Sequence, residues 1–184
     1  MIARVPAMLA LGVELAMAAA GARAASTSDA AAAAPVWTEV KWPFLMDEWG
    51  IGRAFQCQAE TCGTDVALYI RAKIGFCNCT TGITDDDDLD RVGDLSLLSD
   101  KFVGLADGHP VVVDEMTGRS RPYEVHLPLW RVQTAVAVVL HAKCDAVVAT
   151  IVADREHLVD AEQRALAYLG GEKVQHWAKV TLGL

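Results

Sequence analysis

Apolar and polar residues alternate most regularly between Asp65 and Cys77. This period of two is typical of a long, half-buried β-strand. One parity is apolar, whereas the other carries Tyr69, Arg71 and Lys73. We therefore expect one face of the strand to meet the core and the other face to be wet and basic.

Two further apolar runs, at residues 134–140 and 146–153, are separated by a short polar turn. Their valine, isoleucine and threonine content favours a β-hairpin, and the charged turn disfavours a membrane helix. Shorter strands are predicted at 111–113 and 123–127. We expect the polar segment 116–121 between them to be the loop of a second hairpin.

An acidic segment from Thr84 to Asp90 precedes leucine and valine residues at three-residue spacing. This pattern predicts the start of a helix capped by Thr84 or Asp85, where carboxylates favour the positive end of the helix dipole. A calcium loop is the alternative, with three candidate ligands: Asp86, Asp88 and Asp90. The pattern is broken, because Arg91 stands where the loop needs glycine and no glutamate follows at the twelfth place.

The C-terminal part predicts a helix over residues 155–169, ended by Gly170 and Gly171, and a shorter helix over 172–179. Together the elements predict an α+β fold, an antiparallel β-sheet with a mid-chain helix and C-terminal helices packed on it. This order of elements, over most of residues 36–184, is similar to the PsbP-like fold of extrinsic photosystem subunits. The resemblance implies an accessory protein docked at a membrane complex on the exported side.

The N-terminus has the features of a secretory signal. Arg4 precedes an apolar stretch, and residues 22–24 form an A-x-A cleavage pattern. We expect residues 1–24 to be a signal peptide, 25–35 a low-complexity tether and 36–184 a single domain. The sequence thus predicts a periplasmic or secreted protein without a transmembrane span after cleavage, and an uncleaved anchor is the alternative.

Composition narrows the function classes. The chain is 53% hydrophobic, with 16 basic and 24 acidic side chains and a formal net charge of −8. It is too apolar for an intrinsically disordered protein and too acidic for a protein that binds nucleic acid through phosphate contacts.

Aromatic residues are concentrated between residues 36 and 55, where Trp42 and Trp49 are the candidates for a ligand-binding platform. Such a platform suits a sugar or a quaternary amine. The alternative is that these rings close one end of the core. With Tyr69, Arg71 and Lys73 they make up the candidate binding face.

Five cysteines are disulfide candidates in an oxidising compartment: Cys57, Cys62, Cys77, Cys79 and Cys144. Cys57 and Cys62 are close enough to form a local bridge. Either Cys77 or Cys79 could then pair with Cys144, which leaves one thiol over.

Two alternative roles for the cysteines are metal binding and thiol redox chemistry. Four thiolates, from Cys57, Cys62, Cys77 and Cys79, could hold zinc or copper. A reactive dithiol at Cys77 and Cys79 could instead be stabilised by the neighbouring basic residues of the strand.

No catalytic motif is visible in the sequence. The five histidines are scattered, and the chain lacks a nucleophile elbow, a phosphate loop and a dinucleotide fingerprint. We therefore expect an exported, non-catalytic binding protein or accessory protein of an envelope complex. It would bind a protein partner, not nucleic acid; no cofactor is predicted, and a metal ion belongs to the alternative only.

Overall fold

The computed structural model describes residues 34–76 and 78–184. The predicted signal peptide, residues 25–33 of the predicted tether and Cys77 lie outside these ranges. Eight strands are present: β1 (Trp37–Val40), β2 (Arg53–Cys57), β3 (Val66–Lys73), β4 (Phe102–Gly104), β5 (His109–Val113), β6 (Met116–His126), β7 (Val132–Ala142) and β8 (Asp145–Ala153). The α-helices are α1 (Ala59–Cys62), α2 (Asp86–Val92), α3 (Leu158–Leu169) and α4 (Glu172–Leu182).

All eight strands belong to one antiparallel sheet in the order β1-β2-β3-β8-β7-β6-β4. β5 pairs with the first half of β6, beside β4, which pairs with the second half. The predicted α+β class with an antiparallel sheet is therefore confirmed. The final hairpin is also confirmed, because residues 134–142 of β7 pair with the whole of β8.

Both faces of the sheet centre are covered. On one face, α3 and α4 pack on alternate residues of the central strands, including Val136, Val138 and Ile151. On the other face, α2 packs through Leu89 and Val92. Both parities of β7 are consequently buried, and this explains why its sequence is a continuous apolar run rather than an alternating one.

The helix boundaries refine the prediction. The side chain of Asp85 caps α2, since its carboxylate accepts a hydrogen bond of 2.8 Å from the backbone N–H of Asp88. Residues 155–157, predicted as the start of a helix, form a 3-10 turn, and α3 begins at Leu158. α4 extends three residues further than predicted, to Leu182.

The prediction of a loop at residues 116–121 is wrong, because these residues are the first half of β6. Two arginine side chains of this half of the strand pair with carboxylates of α2. Arg119 donates a hydrogen bond of 2.5 Å to Asp86, and Arg121 donates one of 3.0 Å to Asp90 on α2. The strand is thus polar because it faces an acidic helix.

Within the part of the chain that the structure describes, no helix combines the length and apolar character needed to cross a membrane.

Candidate binding site

Residues 41–52 connect β1 to β2 and fold over one face of β3; we call this segment the aromatic loop. Trp42 and Phe44 pack edge-on against Tyr69, with ring centroids 6.1 Å and 4.8 Å from the tyrosine ring. Trp49 packs in the same way on Phe76, at 4.7 Å. Edge-to-face contacts at these distances are favourable, so the rings fasten the loop to the sheet.

A cluster of buried ions lies beneath the loop. Arg71 is only 3% exposed, and its Nε and Nη2 donate to the two carboxylate oxygens of Asp94 at 2.5 Å and 2.7 Å. Its Nη1 donates to both oxygens of Asp47, at 2.7 Å and 2.8 Å. The planar guanidinium therefore joins the aromatic loop to the segment that follows α2.

Lys73 completes the cluster. Its Nζ lies 2.7 Å from a carboxylate oxygen of Asp94 and donates a 2.8 Å hydrogen bond to the carbonyl oxygen of Val92. The rings of Trp49 and Phe76 lie on the ammonium group, with centroids 5.4 Å and 5.0 Å away. Carboxylate, carbonyl and aromatic faces together offset the cost of burying this charge.

The prediction of a wet basic face on β3 is therefore wrong. Arg71 and Lys73 are both buried, because the loop and the segment after α2 bring two carboxylates over them. The structure does bring together the five residues of the candidate binding face: Trp42, Trp49, Tyr69, Arg71 and Lys73. Their contacts are made within the protein, and they hold the aromatic loop in place.

The outer side of the aromatic loop is apolar and open. Leu45 is 91% exposed, Met46 73% and Ile51 66%. These three residues were not among the candidates predicted from the sequence. The neighbouring segment Asp47-Glu48-Trp49-Gly50 has the composition of a tight turn, and this composition could have indicated an exposed loop.

That turn is rigid. The Asp47 carboxylate accepts a 2.9 Å hydrogen bond from the backbone N–H of Trp49, and the Gly50 N–H donates to the Asp47 carbonyl at 3.0 Å. The hydrogen bonds from Arg71 hold the pKa of the Asp47 carboxyl below its usual value. The carboxylate thus keeps its negative charge, and its grip on Arg71, in mildly acidic solution.

The cysteines form two disulfides, Cys57–Cys62 and Cys79–Cys144. Disulfide bonding is therefore confirmed, and Cys79 is the partner of Cys144. In this oxidised state three of the four proposed metal ligands have no thiolate to offer a metal ion. The described residues contain no group of His, Cys, Asp and Glu arranged to hold a metal.

The structure gives Cys79 a different partner from the one that the reactive-dithiol alternative assigns to it. Cys79 is bonded to Cys144, and the charges of Arg71 and Lys73 are engaged with Asp94. These cations therefore lie in ion pairs with a carboxylate.

One polar cluster between β5, β6 and α3 superficially resembles a hydrolytic triad. Ser120 donates a 2.5 Å hydrogen bond to Glu162, and His109 Nε2 lies 3.2 Å from the same carboxylate oxygen. The order is unsuitable for activating a nucleophile, because the carboxylate lies between the hydroxyl and the imidazole. Ser120 is also completely buried, so the cluster serves to join β6 to α3.

An open polar groove of about 680 Å³ lies at the opposite end of β3 from the ion cluster. It is lined mainly by polar and charged residues, including Gln56, Asp65, Glu124, Arg131, Gln133 and Arg155. Arg155 and Glu124 pair with each other at 3.3 Å, so the groove offers mixed charge and amide groups without a preference for one ligand class.

Comparisons with known proteins give no match to a family model, a curated protein or a solved structure.

Proposed function

We propose that this is an exported, non-catalytic protein of the bacterial envelope that binds a protein partner through the outer side of the aromatic loop. One observation carries the proposal: Leu45, Met46 and Ile51 are exposed on a loop whose inner side is fixed by an ion pair with the buried Arg71 and by ring contacts. A loop of this kind is suited to recognition.

The fixed loop matters for affinity. Association costs conformational entropy when interface residues have to be ordered, and a segment that is already ordered avoids much of that cost. Exposed leucine, methionine and isoleucine side chains gain free energy when a partner removes them from water. The loop therefore combines apolar contact groups with a low ordering penalty.

Export is supported by the N-terminal pattern and by the two disulfides, which persist in oxidising compartments. An accessory role in an envelope complex is what the resemblance to PsbP-like subunits implies. The compartment itself is tested by fractionating the source cells and measuring the mass of the exported form, which we expect to begin at residue 25.

Partner binding is tested by in-cell crosslinking of the tagged full-length protein followed by purification. We expect Leu45→Asp/Met46→Asp to abolish recovery of a partner that the wild type captures, because two carboxylates would enter an apolar contact. Val159→Asp/Val180→Asp, at two helix positions that are 67% and 69% exposed, is the matched control. Equal recovery of the partner with the loop variant and the wild type would refute the proposed docking loop.

A further inference from the structure

The hairpin between β6 and β7 ends in an unusual tip, residues 127–132. The backbone N–H of Leu127 donates a 2.8 Å hydrogen bond to the carbonyl of Arg131, which closes the turn. Leu129 and Trp130 occupy its corner with φ angles of 62° and 58°. Such turns strongly favour asparagine and glycine, since bulky side chains are strained in the left-handed region.

These two side chains gain no packing within the described chain that would offset the strain. Trp130 is 100% exposed and Leu129 is 87% exposed. Val132 and Val103 beside the tip are also more than half exposed. The turn therefore carries its two largest apolar side chains at the most strained positions and directs them into solvent, a combination that costs stability.

Charge around the tip differs from the charge of the whole chain. The groove of about 920 Å³ at its base is lined by two cations, Lys101 and Arg131, and by one carboxylate, that of Asp100. His126 also lines it, and its Nε2 lies 3.3 Å from the carboxylate of Glu124. The whole chain has a net charge of −8. A positively biased rim on an acidic protein favours an anionic partner and keeps the rest of the surface away from it.

We propose that residues 127–132 dock the protein onto an anionic phospholipid surface. Trp130 and Leu129 insert at the level of the headgroups, where tryptophan is characteristically enriched. Lys101 and Arg131 lie beside the headgroups and add electrostatic attraction. Insertion of these two side chains at the headgroup level is a peripheral mode of attachment.

The experiment measures co-sedimentation of the protein with vesicles of phosphatidylcholine alone and of phosphatidylcholine mixed with phosphatidylglycerol. We expect the wild type to bind the anionic vesicles, and to bind them more weakly at about 0.5 M salt than at about 0.05 M salt, because salt screens the basic rim. Failure to bind the anionic vesicles at the lower salt concentration would overturn the proposal.

Leu129→Asn/Trp130→Gly is the decisive variant, because it installs the residues that the turn geometry favours. We expect its melting temperature to rise while its affinity for anionic vesicles falls at least about tenfold. A merely structural role for Trp130 would move stability and vesicle binding in the same direction. Unchanged vesicle binding by this well-folded variant would also overturn the proposal.

Two more variants separate the contributions. Lys101→Glu/Arg131→Glu should lose anionic-vesicle binding with the apolar tip intact, and Val159→Asn/Val180→Asn should bind like the wild type. A photo-crosslinking residue at position 130 should label lipid. Labelling of a protein instead would mean that the tip binds a protein partner and not a membrane.

Leu45→Asp/Met46→Asp should keep full vesicle binding. Failure of the membrane proposal can therefore be distinguished from failure of the aromatic-loop proposal.

Discussion

Arg71 engages two carboxylates from different segments of the chain, so its contribution to stability can be tested directly. Arg71→Met removes the guanidinium and leaves the buried Asp94 with Lys73 as its remaining cation. Removing one member of a buried ion pair typically costs about 3 to 5 kcal/mol of unfolding free energy. We expect a loss of this size in urea unfolding at neutral pH.

Arg71→Lys is the informative companion. An ammonium group keeps the charge but cannot reproduce the planar contacts to Asp94 and Asp47 together, so this variant should fall between Arg71→Met and the wild type. Stability of Arg71→Met equal to that of the wild type would contradict the importance of the buried cluster.

His141 should make stability depend on pH. Its Nδ1 accepts a 3.4 Å hydrogen bond from the Ile83 N–H, and its Nε2 lies 3.2 Å from the Thr117 hydroxyl. Burial lowers the pKa of this imidazole below its usual value of 6.5. The unfolded chain therefore binds the proton more readily, and the stabilising effect of neutral His141, fully present above pH 6.5, is lost as the pH falls below it.

We expect the unfolding free energy to decrease between about pH 7.5 and about pH 5, and His141→Gln to decrease less over the same interval. Urea titrations of both proteins at the two pH values measure this difference. An identical pH dependence in wild type and variant would show that His141 does not contribute.

At the residue scale, sequence reasoning found one side of the ion cluster and missed the other. It selected Arg71 and Lys73 as a basic pair, but Asp94 and Asp47 lie 23 and 24 positions from Arg71. Asp94 follows α2, and Asp47 is in a loop of irregular structure. Pairing over such separations depends on how the layers pack, which hydrophobic periodicity does not encode.

At the element scale, the strongest patterns predicted their elements well. The β7–β8 hairpin, the central strand β3, the cap of α2 and the two C-terminal helices follow from apolar periodicity and from glycine or aspartate at the boundaries. The second half of β6 was predicted as a strand, but its first half was missed because Arg119 and Arg121 make it look like a loop. In the structure, their ion pairs with carboxylates of α2 attach this part of the strand to the helix, as apolar contacts do for the other strands.

The two disulfides connect elements at very different separations, and this difference predicts unequal effects. Cys57 and Cys62 are 5 positions apart, whereas Cys79 and Cys144 are 65 apart. Closing the longer loop removes more entropy from the unfolded chain, giving about 4 kcal/mol against about 2 kcal/mol. We expect Cys79→Ala/Cys144→Ala to be the more destabilised double variant in urea unfolding.

Intact-mass measurements after alkylation provide the control for that comparison. Reduction of the wild type should make four additional cysteines accessible to the reagent, and reduction of either double variant should add two. Equal destabilisation of the two double variants would contradict the loop-length argument. Bound zinc or copper in the unreduced protein would revive the metal alternative.

At the scale of the whole molecule, the sheet is covered by α3 and α4 on one face and by α2 with the aromatic loop on the other. The alternation in β3 predicted one buried face correctly. It could not show that the second face is also buried, because a charged residue has the same periodicity whether water or a carboxylate covers it. The aromatic loop thus belongs to the architecture of the sheet as well as to the proposed binding surface.

This double role makes Asp47 the point at which folding and partner binding can be separated. Its side chain is 40% exposed, so Asp47→Asn should cost at most about 1 kcal/mol of global stability. The asparagine retains an oxygen for the Trp49 N–H but loses the negative charge that pairs with Arg71. Because the loop would then be held less firmly, we expect faster amide hydrogen exchange in residues 41–52 and weaker capture of the partner.

The matched control is Asp114→Asn, which removes a similarly exposed carboxylate that lies 2.8 Å from Lys179. This variant should leave both loop exchange and partner capture unchanged. If Asp47→Asn loosened the loop without weakening capture, order in the loop would be irrelevant to recognition. If Asp47→Asn changed neither loop exchange nor partner capture, the ion cluster would stabilise β3 without controlling the aromatic loop.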